Sequence, residues 1–140
     1  MDHIVGPEMQ SRVLSVMRIM IGLVYLQSGT GKFLHVPPAP MFVNVASGSL
    51  PWWGGVVELI CGTLIVLGLL TRPAAFLASG EAAVAYFWAH AGRSFFPAMN
   101  GGSLVLVFCF AFLYLAVAGG GAWSLDRVLT GRGWRYWWMR

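Results

Sequence analysis

PWWGGVVELICGTLIVLGLLTRPAAFLASGEAAVAYFWAHA, residues 51–91, decides the fold. It holds two long apolar runs, Pro51–Leu70 and Pro73–Ala91, joined by little more than Thr71-Arg72-Pro73. Each run carries a single acid, Glu58 in the first and Glu81 in the second. A helix that crosses the hydrocarbon core of a bilayer needs about 20 such residues, within a range of about 17–25. Both runs meet that length, and the short link makes them antiparallel neighbours.

Outward from this pair, two further runs have the same character. Val13–Phe33 has a charge-free centre, Ile19–Gly31, with Arg18 and Lys32 at its margins, where long basic side chains snorkel toward water. Gly101–Ala118 carries no charge. Spanning strands would appear as alternating segments of about ten residues, and none is present. The expected fold is therefore an all-α membrane protein, a four-transmembrane-helix bundle with spans 13–33, 51–70, 73–91 and 101–118. The domain expectation is an N-terminal cytoplasmic segment 1–12, a membrane domain 13–122 and a Trp/Arg-rich cytoplasmic tail 123–140. The first run lacks an A-x-A cleavage site and three more runs follow it, so it reads as a retained helix rather than a signal peptide.

Composition agrees. Of the 140 residues, 58% are hydrophobic and 10% charged, and mean hydropathy is +0.71. Soluble domains average about 45–50% apolar and about 25% charged. Two cysteines exclude a disulfide scaffold. The nine basic residues are too dispersed for one phosphate-tracking face, which excludes nucleic acid as a partner. Their distribution instead sets orientation. With four spans, Arg12, Arg18, Arg72, Arg127, Arg132, Arg135 and Arg140 share one side, against Lys32 and Arg93 on the other. That excess places both termini in the cytoplasm. Trp123, Trp134, Trp137 and Trp138 in the tail suit the headgroup layer, or an interface with another subunit.

Acids inside spans are costly, at roughly 2.5–3.5 kcal/mol near the centre, so Glu58 and Glu81 are expected to face protein. Glu58 shares a lane with Gly54, Gly55 and Gly62, and Glu81 sits beside the stripe Ala75, Ala78, Ala82, Ala85, Ala89. Small residues at such spacing let helices approach closely in lipid. At ~1.5 Å per residue, Glu58 lies about 9 Å below Trp52, Glu81 about 13 Å below His90 and Gln27 about 8 Å below Lys32. With Lys32, His90, Arg93 and Asn100 (and His35) above them, Gln27, Glu58 and Glu81 form a candidate polar funnel open to the outer side. Two readings stand. One is a site for a polar head group or a proton path. The other is a buried network that fixes helix register, with Glu81 or Glu58 paired to Lys32.

Other signals are weaker. Cys61 and Cys109 fall at similar depth, but no Cys-x-x-Cys motif makes them a redox pair. His35 and His90 lack ligand spacing, so no metal site is expected. Phe108, Phe110, Phe112 and Tyr114 read as lipid-facing packing. No Rossmann glycines, P-loop, haem ligand pair or nucleophile triad is visible.

The stretches LVYLQSGTGKF, VVELICGTLIVLGLLTRPAA, SGEAAVAYFWAHAGRSFFPAMNGG and CFAFLYLAVAGGGAWSLD together resemble the DoxX family of small four-helix bacterial membrane proteins. The landmarks are Gly29, Lys32, Glu58, Gly68, Arg72, Glu81, His90, Asn100-Gly101-Gly102 and Ser124-Leu125-Asp126, in order along nearly the whole chain. Ser103 departs from the pattern, where similar sequences often carry an acid. The resemblance implies a multi-pass protein of the bacterial inner membrane and an accessory subunit of a quinone-linked oxidoreductase system, with no covalently bound cofactor and no catalysis on its own. Quinone is the cofactor it implies, and the partners are lipid and other membrane subunits or further copies of the chain. Two alternatives stay open: a structural subunit packed on a larger respiratory or photosynthetic complex, and a small transporter or proton path through Glu58 and Glu81.

Overall fold

The computed structural model describes residues 6–131, and every regular element in that range is helical. Helix α1 is Pro7–Leu34. After a short 3₁₀ turn at Pro40–Phe42 come α2, Leu50–Leu67, and α3, Thr71–Ala85, which runs on through a wider π turn, Tyr86–His90. A single helical turn α4, Pro97–Asn100, leads into α5, Ser103–Ala118. The short α6, Leu125–Gly131, ends the described chain. The protein is an all-α, membrane-associated chain in which α1 and α2 are long and apolar enough to span a bilayer. The rest of the Trp/Arg-rich tail, with Arg132, Trp134, Arg135, Trp137, Trp138 and Arg140, lies outside the described residues.

Helix starts and stops follow local chemistry. Helix α1 begins at Pro7, several residues before the expected span and within residues 1–12, expected to precede it. Proline is preorganised for the first helical position, and Glu8 is favoured in the first turn by the helix dipole. Proline also opens the first turn of α2, behind a Ser49 cap that accepts from the Trp52 N–H. Gly68 ends α2 at φ 70°, with Gly68 N–H on Ile65 O and Leu69 N–H on Leu64 O, a Schellman closure that only glycine makes without strain.

Packing order is α1 on α2, α2 on α3 and α3 on α5. The α1–α2 seam is made by glycines seven apart on each helix. A Cβ at Gly29 would sit 3.0 Å from the Leu59 backbone nitrogen, and one at Gly62 would sit 3.1 Å from the Leu26 Cα. Ala75, Ala78 and Ala82 of the alanine stripe are buried in the core beside Phe108, Phe112 and Leu115 of α5. Phe108 and Phe112, four apart, thus face inward, whereas Phe110 and Tyr114 face outward. The aromatic run is half core, which corrects the expectation that it is lipid-facing. Outer faces carry Met20, Leu23, Ile60, Phe76, Leu77 and Val117, a dress suited to acyl chains.

The end of the molecule bearing both described termini is locked by Arg18. Expected to snorkel, this side chain is instead 0% exposed. Its guanidinium donates to Ile65 O and Val66 O at the end of α2, to Gly120 O (2.8 Å) and to Trp123 O (2.9 Å). The last carbonyls of a helix have no partner within it, and a five-donor fork reaches several of them at once. Asp126 closes the same end. Its two oxygens accept from Leu70 N–H (2.8 Å) and Thr71 N–H (2.9 Å). Leu70 lies in the left-handed region at φ 49°, a strained state for leucine. Asp126 holds that turn while occupying the positive end of α3.

Candidate functional site

Tyr25, Lys32, Glu58 and Glu81 meet between α1, α2 and α3. Lys32 Nζ lies 2.9 Å from Glu58 Oε1 and 2.8 Å from Oε2. Tyr25 donates its phenol proton to Glu81 Oε2 at 2.9 Å. Gly54 joins the two pairs: a Cβ there would lie 3.1 Å from Glu81 Oε1 and 3.8 Å from Lys32 Nζ. Glycine at that position leaves both groups room beside α2, while Lys32 keeps Glu58 as its ion-pair partner. The cluster thus holds two carboxyls and one ammonium. Glu58 is 6% exposed, and Cys61, one turn further along α2, is buried beside it.

Helix phase explains this membership. At about 100° per residue, Tyr25 and Lys32 fall about 20° apart on α1, one above the other. Gln27 falls about 140° from Lys32 by the same count. The structure accordingly leaves Gln27 exposed on the outer face of α1, outside the cluster in which depth alone had placed it. Tyr25 is the member that a reading confined to charged groups and amides passes over. Its i, i+7 relation to Lys32 is the signal that identifies it. The ring is held edge-on against Phe112 (4.8 Å between centroids) and Phe108 (5.5 Å), so α5 fixes the phenol that addresses Glu81.

His90 and Asn100 belong to a separate cluster at the loop end. His90 Nδ1 pairs with Asn100 O at 3.0 Å, and its ring stacks on Tyr86. The buried Asn100 amide donates to Tyr86 Oη and Ser94 O and accepts from Gly102 N–H. A Cβ at Gly102 would strike the Tyr86 ring. These contacts tie the link after α3 into a fixed turn. Arg93 is exposed on that link, as is His35 at the end of α1. The single funnel expected from depth is therefore two assemblies: a carboxylate cluster within the bundle and a loop lock at its end. Both cysteines are free, and Cys109 O accepts from Ser79 instead. Among the described residues, no three His, Cys, Asp or Glu side chains form a group able to hold a metal ion.

The carboxylate cluster opens sideways. A cleft of ≈ 660 Å³ lies between α2 and α3, walled by apolar groups such as Trp53, Ile60, Phe76, Leu77 and Trp88, with Glu81 as the one ionisable carboxylate in its lining. Tyr25 holds Oε2, which leaves Oε1 beside Gly54 on the cleft wall. A lateral opening walled by side chains that suit acyl chains, with one polar group at depth, fits a molecule with an apolar body and a hydrogen-bonding head.

Comparison with known proteins gives the same picture of kinship. A family model described as DoxX matches residues 13–91. An uncharacterized protein of Haemophilus influenzae is 41% identical over 117 residues, covering 81% of this chain and 87% of the relative. An uncharacterized membrane protein of Mycobacterium tuberculosis is 31% identical over 148 residues, covering 82% and 80%. The inner membrane protein YphA of Escherichia coli is 28% identical over 124 residues, covering 82% and 89%. No solved structure matches the chain.

Proposed function

The chain belongs to the DoxX family of membrane proteins, and on that premise we propose that it is an accessory subunit of a quinone-linked oxidoreductase system in the bacterial cytoplasmic membrane. In this reading α1, α2, the continuous helix 71–90 and α5 are four spans with both termini inside. The helix 71–90 extends about 30 Å at the α-helical rise, and α5 about 24 Å. The seven-to-two division of Lys and Arg supports the orientation. The functional unit comprises residues 13–122, with the Trp/Arg-rich tail at the cytoplasmic surface.

The observation that carries the reading is the lateral cleft with Glu81 at its floor. A quinone combines an isoprenoid tail with a ring whose carbonyl oxygens accept hydrogen bonds. The walls at Phe76, Leu77 and Trp88 suit the tail. Glu81 is the group that addresses the ring: with Oε2 engaged by Tyr25, a proton held on the carboxyl resides at Oε1, facing the cleft. Lys32 and Glu58 neutralise one another behind it, which leaves Glu81 as the side chain free to exchange a proton. A bound quinone would supply two-electron, two-proton redox chemistry, and a partner subunit would supply its electrons. This chain's residues bind, orient and keep water away.

Reconstitution in lipid discs with and without a long-chain quinone tests the reading. Trp53 and Trp88 line the cleft, so quinone should quench the intrinsic fluorescence saturably. Gly80→Phe should abolish the quenching by filling the cleft, because Gly80 lines it with open space before it. Equal quenching of the wild type and the Gly80→Phe variant would remove the cleft as the site. Native mass analysis after mild-detergent extraction tests the partnership, and a lone 15.3 kDa species across detergents and lipids would count against it.

A further inference from the structure

A second cavity, of ≈ 690 Å³, lies at the terminal end, lined by Arg72, Arg127, Ser11, Ser124 and the backbone of residues 119–121. Its charges do not cancel locally. Of the two acids in its wall, Glu8 is paired with Arg12 at 2.6 Å. Asp126 spends both oxygens on the Leu70 and Thr71 N–H groups and faces the buried charge of Arg18. Among the described residues, neither Arg72 nor Arg127 has a carboxylate within ion-pair distance.

Arg72 also stands at the unfavourable end of a helix, as the second residue of α3. Helix N-termini carry partial positive charge, which disfavours a cation there. Half-buried Arg72 and exposed Arg127 line one open cavity and concentrate positive potential in it. Gly119 shapes the wall: a Cβ there would lie 3.4 Å from Arg72 Nε and 3.7 Å from Nη2, and its φ of 84° excludes other residues at low strain. The backbone at 119 thus leaves the Arg72 guanidinium room along the cavity.

We propose that the Arg72–Arg127 cavity binds a phosphate oxyanion at the membrane margin, a planar guanidinium fork being suited to bidentate phosphate contact. The helices α1 and α3 both start at this level, so the cavity sits where phospholipid headgroups lie. The inference is independent of the quinone reading, which concerns the opposite half of the bundle.

The experiment uses the full chain, stripped of lipid in neutral detergent. Equimolar phosphatidylglycerol and phosphatidylcholine of matched acyl chains are added, and retained lipid is read by native mass spectrometry. Inorganic phosphate is titrated separately as a competitor. The expected result is preferential retention of phosphatidylglycerol, reduced by roughly tenfold or more in the double variant Arg72→Gln/Arg127→Gln, since each basic residue near an anionic surface adds to attraction. Arg93→Gln, at the other end, should leave the preference unchanged. The double Arg→Lys variant, which keeps both charges, should retain part of it and guards against reading a folding defect as lost binding. Competition by inorganic phosphate would assign the oxyanion to a free phosphoryl group. Phosphatidylglycerol preference without competition would assign it to a lipid headgroup. Equal retention of the two lipids with no response to phosphate, or a preference that survives in the Gln variant, would overturn the proposal.

Discussion

Lys32 grips Glu58 through both carboxylate oxygens, at 2.9 and 2.8 Å, across the seam between α1 and α2. The neighbouring carboxylate, Glu81, is left to a phenol rather than a cation. One acid is thereby paired across the seam, and the other lines the cleft.

Removing Lys32 alone should be worse than removing the pair. Lys32→Met leaves Glu58 buried without its cation, a class of change that costs about 3–5 kcal/mol. Lys32→Met/Glu58→Met replaces the pair with apolar groups and should recover more than half of that loss. Thermal unfolding in detergent reads both, and equal losses would show that Glu58 left without its cation carries no penalty.

Arg18→Met should loosen the terminal end, since it deprives Ile65, Val66, Gly120 and Trp123 of their shared donor. Ile65 O keeps the Gly68 N–H, and each of the other buried acceptors left unsatisfied costs about 1–3 kcal/mol. Arg18→Lys should recover little of this, because one ammonium cannot match the fork geometry. Protease sensitivity around residues 119–131 should rise in both variants, and wild-type resistance in Arg18→Lys would contradict the fork requirement.

Glycines of similar appearance should respond in opposite ways. Gly29→Ala drives a methyl into Leu59 and Glu58 and should lower the melting temperature. Gly80→Ala meets nothing within 4 Å and should be neutral or stabilising by up to about 1 kcal/mol, the helix-propensity gain. A large loss at Gly80 would mean that another surface covers the cleft.

Orientation is checked by labelling. With the native cysteines replaced by alanine, Ser47→Cys should react with an impermeant maleimide in intact cells, and Gly131→Cys only after permeabilisation. The reverse pattern would invert the proposed topology.

The all-α character, two helices long and apolar enough to span (α1 and α2), the inward bias of Glu58 and Glu81, and the close approach of helices at the Gly and Ala lanes were legible in the sequence. They follow from length against bilayer thickness, from the cost of a charge in lipid, and from helix period, all of which act along one segment at a time. Choice among partners was not legible. Depth put Gln27 with the acids, whereas azimuth on α1 turned it outward and brought Tyr25 in. Lys32 lay within reach of two carboxylates by sequence, and only the packing of α1 on α2 through Gly29 and Gly62 settled it on Glu58. Arg18 read as a snorkelling residue because its four carbonyl acceptors come from segments 47 to 105 positions away. A local pattern carries the free energy of placing a residue in lipid or in protein. Which protein groups satisfy that residue depends on contacts that exist only once distant segments have packed.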